Sequence, residues 1–200
     1  MITDWHAIAG ITAGIVQAVS IIPYIWSMIR GTTRPNIVSW SLWTLEQIIA
    51  VAALWSAGAS WPIIILVAAT FNTALVLVLC LFGYGYKHFG LLDGVCLVLA
   101  LAALGLWYIT SDPLIALVLS VAADFSATLP TIAKVWKEPG SELAWSWLMV
   151  VAAGALALIA TTKLDVANLI WPIYFVLAGG VVTGLIFWRQ SLHKVSNKIT

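Results

Sequence analysis

Charge is what this chain has least of. Only 8% of its 200 residues are Asp, Glu, Lys or Arg, against 62% apolar residues, whereas a soluble domain averages about a quarter charged. Nine basic and eight acidic side chains cannot coat a globule of this size, so the solvent expected for it is lipid. The shortage excludes a sizeable extramembrane domain, a nucleotide-binding fold, a soluble active site and intrinsic disorder. A net charge of +1 gives no footing for nucleic acid. The two cysteines, Cys80 and Cys96, both sit inside apolar stretches, which argues against a disulfide framework and a metal site. The three histidines, His6, His88 and His193, fall at boundaries or in the tail. No cofactor is implied.

Long apolar runs are what the chain has instead. A membrane-crossing helix needs roughly 20 such residues, and seven runs qualify, at 7–28, 37–57, 62–82, 91–108, 113–135, 143–161 and 169–188. Transmembrane strands would alternate and need only about ten residues each, so these read as helices. The expected fold is an all-α membrane protein of seven transmembrane helices. With the N-terminus outside, inner loops and tail collect Arg30, Arg34, Lys87, Lys134, Lys137, Arg189, Lys194 and Lys198, and outer loops only Lys163. That bias puts the C-terminus in the cytoplasm. Trp5, Trp55, Trp61, Trp107 and Trp171 then mark the outer interface, and Trp26, Trp136 and Trp188 the inner one.

Three landmarks recur in order. Pro23-Tyr-Ile-Trp-Ser-Met-Ile-Arg30 matches Pro130-Thr-Ile-Ala-Lys-Val-Trp-Lys137; Ser39-Trp-Ser-Leu-Trp43 matches Ala144-Trp-Ser-Trp147; Trp61-Pro62 matches Trp171-Pro172. The offsets are 107, 105 and 110 residues, so spans one to three read as a duplicate of spans five to seven. A single linking span returns the chain to the outer side and makes the two units parallel, a plan that places a solute site at their interface. The expected organisation is 3+1+3: a first triple-helix bundle at 1–86, a linker helix at 87–111, and a second bundle with a short basic tail at 112–200.

With this arrangement, and with Leu129-Pro-Thr-Ile-Ala-Lys-Val-Trp-Lys137 followed by Glu142 and Ser146 (and Ser141 between), the sequence resembles the SWEET and PQ-loop superfamily of transporters. Tyr24 and Thr131 stand where that family has glutamine, and Pro35 and Pro139 precede spans two and six instead of lying within them. Val67 and Leu177 occupy the positions where its sugar carriers place asparagine. The resemblance implies alternating access around a midplane site, with a sugar as the leading solute.

Ionisable groups deep in a bilayer are costly and usually face the bundle interior. Asp124 and Glu46 lie at the middle of spans five and two, Gln17 and Asn72 at the middle of spans one and three. Gln17 and Asp124 each precede their repeat's proline by six residues, and helical spacing aligns Gln17 with Ser20 and Tyr24, and Ser120 with Asp124, Thr128 and Thr131. The candidate solute-binding set is therefore Gln17, Ser20, Trp43, Glu46, Asn72, Asp124 and Thr128, with Asp124 also a candidate proton site. Pro23 and Pro130 each remove one helical hydrogen bond just beyond the polar strips and are candidate hinges of a gate. Gly10-x3-Gly14 and Gly180-x3-Gly184 have the spacing of close helix packing.

The expected function is a carrier of a small polar solute. Two acids and no midplane lysine or arginine make a proton-coupled carrier of an amino acid or another cationic solute the alternative. A retinal protein is excluded, since span seven holds no lysine. A non-transporting receptor or assembly partner stays open, as does homo-oligomerisation. No protease-like motif surrounds either acid, so no enzymatic activity is expected. Compact loops point to a bacterial inner membrane.

Overall fold

The computed structural model describes residues 4–140 and 142–196, without the side chains of Leu92, Pro130 and residues 193–196. Ser141, Lys198 and the side chains of His193 and Lys194 thus lie outside the described residues. The described chain is helical: α1 Trp5–Ser20, α2 Ile22–Ile29, α3 Ile37–Ser56, α4 Ile63–Leu79, α5 Leu91–Thr110, α6 Pro113–Lys137, α7 Ala144–Ile159 and α8 Val166–Ser196. Six membrane-length segments are apolar enough to cross a bilayer, α1 and α2 together making one, and α7 is a shorter apolar helix of 16 residues. At 1.5 Å per residue, the 20 residues of α3 span about 30 Å, the thickness of a hydrocarbon core.

Polar punctuation sets the helix ends. Asp4 accepts from the backbone N–H groups of His6 and Ala7, Asn36 from Val38, and Asp112 from Leu114 behind Pro113; such caps are worth about 1 kcal/mol each. Beyond α4 a wide turn, Cys80–Tyr84, ends where Gly83 takes φ 97°, a left-handed value that glycine alone adopts easily. The segment after it pairs with the start of α3: the Ile37 N–H donates to the Tyr86 carbonyl at 2.9 Å and the Tyr86 N–H to the Pro35 carbonyl at 3.0 Å.

The first span is broken at Ile21, two residues before Pro23. There the Ile21 N–H pairs with the Val19 carbonyl. The Gln17 carbonyl instead accepts from Ser20 Oγ at 2.7 Å and from Asn72 Nδ2 at 2.6 Å. The helical break thus frees a backbone acceptor that a neighbouring helix uses. The fifth span differs, because α6 continues unbroken through position 130.

The helices close into a ring. Packing runs from α1 to α4, α4 to α3, α3 to α6, α6 to α8, α8 to α7 and back from α7 to α1. The remaining helix, α5, lies outside it against α6 and α3. Two seams owe their closeness to glycine. A Cβ at Gly10 would stand 2.7 Å from Trp61 Cβ, and one at Gly14 2.5 Å from Ile64 Cγ2. On the other side, a Cβ at Gly154 would meet Val176 at 2.9 Å and one at Gly179 would meet Val151 at 3.0 Å. Gly180 and Gly184 have nothing within 4 Å of such an atom, so that pair packs nothing: an outward face makes equal spacing idle.

The main apolar core fills one end of the ring, from Ala13, Leu54, Ile65, Leu117 and Ala157 to Trp171 and Phe175. Trp171 belongs to that core at 1% exposure and is no interface anchor. The reason is that α8 begins five residues before it, at Val166, so the Trp-Pro pair lies a turn inside the helix. Trp5, Trp26, Trp55, Trp136 and Trp188 are about half or more exposed, as interface anchors would be.

Candidate functional site

At the other end of the ring the helices splay around a cavity of about 630 Å³. Its mouth carries Arg34, His88, Lys134 and Glu142, and its floor lies at Ala69, Val150, Tyr174 and Phe175, against the apolar core. The mouth is therefore at the basic end, and the opposite end is packed shut.

Most of the candidate binding residues line this cavity: Gln17, Ser20, Trp43, Asn72, Asp124 and Thr128, together with Tyr24 and Thr131 of the two polar strips. They come from five different helices, which the ring brings to one depth. Glu46 is not among the lining residues. It is fully buried at 0% exposure, and the ionisable group beside it, within hydrogen-bonding reach, is Asp124. Ser120 is likewise buried, with its hydroxyl unpartnered, and lies outside the lining. Val67 and Leu177 are 48% and 62% exposed, so the positions that the resemblance assigns to sugar contact face outward here.

Asp124 is the hub. At 6% exposure it accepts from the Tyr174 hydroxyl at 2.5 Å, from Gln47 Nε2 at 3.3 Å and from Thr128 Oγ1 at 3.4 Å. Thr73 Oγ1 extends the chain by donating to Gln47 Oε1 at 3.3 Å, and the Thr128 hydroxyl, 3.2 Å from that of Tyr174, can turn its one proton to Tyr174 in place of Asp124. Four helices, α3, α4, α6 and α8, meet in this one network. Gln47, Thr73 and Tyr174 were not singled out by sequence reading. A signal existed for Gln47: it stands four residues after Trp43 and eight after Ser39, and all three line the cavity.

Four further polar atoms of lining residues are buried without a partner: Gln17 Oε1, Asn72 Oδ1, Trp43 Nε1 and Ser146 Oγ. Buried polar groups are nearly always paired in folded proteins. Of the unpartnered buried polar atoms among the described residues, these four belong to residues that line the cavity, where water or a solute can complete their bonding.

No family model, no curated protein and no solved structure matches the chain.

Two polar clusters frame the site. At the mouth, Lys134 Nζ bonds Glu142 at 3.1 Å, and Glu142 also accepts from Trp147 Nε1 at 3.4 Å. Beside it Asp93 accepts from Ser39 Oγ and from the Gly90 N–H, both at 2.8 Å. At the shut end Asn168 Oδ1 accepts from both the N–H and the hydroxyl of Ser60 at 2.9 Å, tying the α3–α4 loop to α8. Asn168 in turn donates twice to Asp165 Oδ1, and those bonds hold the exposed Asp165 carboxyl below its ordinary range. Among the described residues no group of three metal-ligating side chains occurs.

Proposed function

We propose that this chain is an integral membrane carrier of the SWEET and PQ-loop plan, moving a small polar solute by alternating access. The cavity carries that reading: it is open at one end, shut at the other, and its floor reaches an intramembrane acid. A lipid-facing structural acid would have no such space beside it. The order of the ring supports the repeat. Each half places its third span between the first and second, and both seams join unlike helices, α1 to α7 and α3 to α6. Exchanging the halves maps one seam onto the other, as a two-fold axis along the membrane normal requires. On this reading the basic mouth faces the cytoplasm of a bacterial inner membrane, the state captured is inward-open, and the break at Ile21 is a bending point of the inner gate.

The resemblance points to a sugar. Asp124 in the cavity favours a second solute class, a proton-coupled amino acid or other cationic solute. Uptake into proteoliposomes, measured across sugars, amino acids and amines with and without a pH gradient, tests both. Saturable flux that vanishes in Asp124→Asn is expected. Saturable binding with no flux of any solute would overturn the carrier reading in favour of a receptor, and flux indifferent to both the gradient and Asp124→Asn would remove the proton role.

A further inference from the structure

We infer that the solute accepted by this cavity is an organic monocation, an amine carried as its ammonium form beside an apolar or aromatic body. The inference rests on the carrier reading for its biological sense but not for its test.

The acids come first. Asp124 receives its three hydrogen bonds from a tyrosine, a glutamine and a threonine, all neutral. The other ionisable group acting on it is Glu46, a second acid. No lysine or arginine lies at this depth. Glu46 stands within hydrogen-bonding reach of Asp124 and can fill the fourth donor place that a carboxylate offers, so an ammonium is drawn here by charge and not by a vacant acceptor site. A buried negative charge without a counter-charge is expensive, and a neutral sugar leaves it so. An ammonium group in the cavity supplies the missing charge.

The walls come second. Tyr24, Trp40, Trp43, Trp147, Tyr174 and Phe175 all line the same space. Tyr24 and Trp40 have ring centroids 5.3 Å apart, and Trp40 meets Trp43 edge-on at 5.2 Å. Aromatic faces attract ammonium ions through the ring quadrupole, and the more strongly when water is excluded. Gln17 Oε1 and Asn72 Oδ1, both unpartnered acceptors, suit the N–H donors of an amine.

The mouth comes third, because it separates a monocation from a zwitterion. An amino acid brings a carboxylate that needs its own cation. Lys134 is engaged with Glu142, and Arg34 is exposed at the rim. Nothing basic waits beside Asp124 to take a second, negative group.

Three compounds that share one ring decide the matter: phenethylammonium, its neutral counterpart 2-phenylethanol, and the zwitterion phenylalanine. Thermal unfolding of the purified full chain in detergent reads binding by linkage. Phenethylammonium should raise the melting temperature saturably, while the other two and glucose leave it unchanged at equal concentration. Asp124→Asn should need about tenfold more phenethylammonium for the same shift, the loss expected when a hydrogen bond to a charged group is removed. An equal shift with 2-phenylethanol, an equal shift with phenylalanine, a response to glucose alone, or no shift at all would each overturn the inference. If Asp124→Asn does not fold, the ranking on the native chain still decides. Binding of phenethylammonium with no flux of any solute would uphold this assignment and sink the carrier.

Discussion

Replacing Gly10 by alanine puts a number on one of the close approaches in the ring. The added Cβ would stand 2.7 Å from Trp61 Cβ and 3.2 Å from the Trp61 carbonyl oxygen. Neither atom belongs to the free end of a side chain, so relief requires α1 to part from the chain that leads into α4. Overpacking of this kind costs about 1–3 kcal/mol. Alanine also returns up to about 1 kcal/mol through its better helix propensity. Gly184→Ala isolates that gain, since nothing lies within 4 Å of its Cβ. Subtracting the two variants cancels propensity and leaves the packing cost alone. At about 2–4 °C per kcal/mol for a chain of this size, Gly10→Ala should melt roughly 2–12 °C below Gly184→Ala. Tryptophan fluorescence during heating of the detergent-solubilised protein measures it. Equal melting points, or a higher one for Gly10→Ala, would refute the α1–α4 approach, and with it the bond from Asn72 to the Gln17 carbonyl that this approach permits.

The shut end gives two further expectations. Asn168→Ala removes both bonds that Ser60 donates to Asn168; a cysteine placed at Ala157 in that background should react faster with a maleimide reagent than in the parent, and an unchanged rate would deny the latch. Asp165→Asn should lower stability slightly at neutral pH, because the folded carboxyl titrates below its ordinary value. That contribution is present above an unfolded value of about 3.9 and fades as pH falls through the lower folded one, so melting curves of the two proteins should converge in acid; a gap that widens there would contradict the sign.

Hydropathy made the spans legible, because lipid demands uninterrupted apolar helices and leaves polar residues only at their ends. Seven runs became six membrane-length segments and the shorter apolar helix α7, with ends within a few residues except at the seventh run, where α8 begins earlier and continues through Ser196. Depth along each helix was legible too, which is why Gln17, Asn72 and Asp124 meet in one space. Direction around each helix was not. Glu46 and Gln47 are neighbours in sequence but about 100° apart on a helix, and the weaker polar residue faces the cavity while the acid does not. Tyr174 passed as one more apolar residue of a tryptophan-rich segment. Its hydroxyl matters only because α8 packs on α6, a pairing that no local pattern encodes. Gly10 and Gly180 illustrate the same limit: identical spacing, opposite outcomes, decided by what lies across the gap.

The odd helix also makes the ring lopsided. Because α5 leans on both α3 and α6, the first and second halves are bound together along that edge as pages are along a spine. Across the way, α1 and α7 pack directly on each other, with α4 touching both from within the ring. A molecule built so has a spine on one edge, where α5 covers the join between α3 and α6, and on the far edge α1 meets α7 directly.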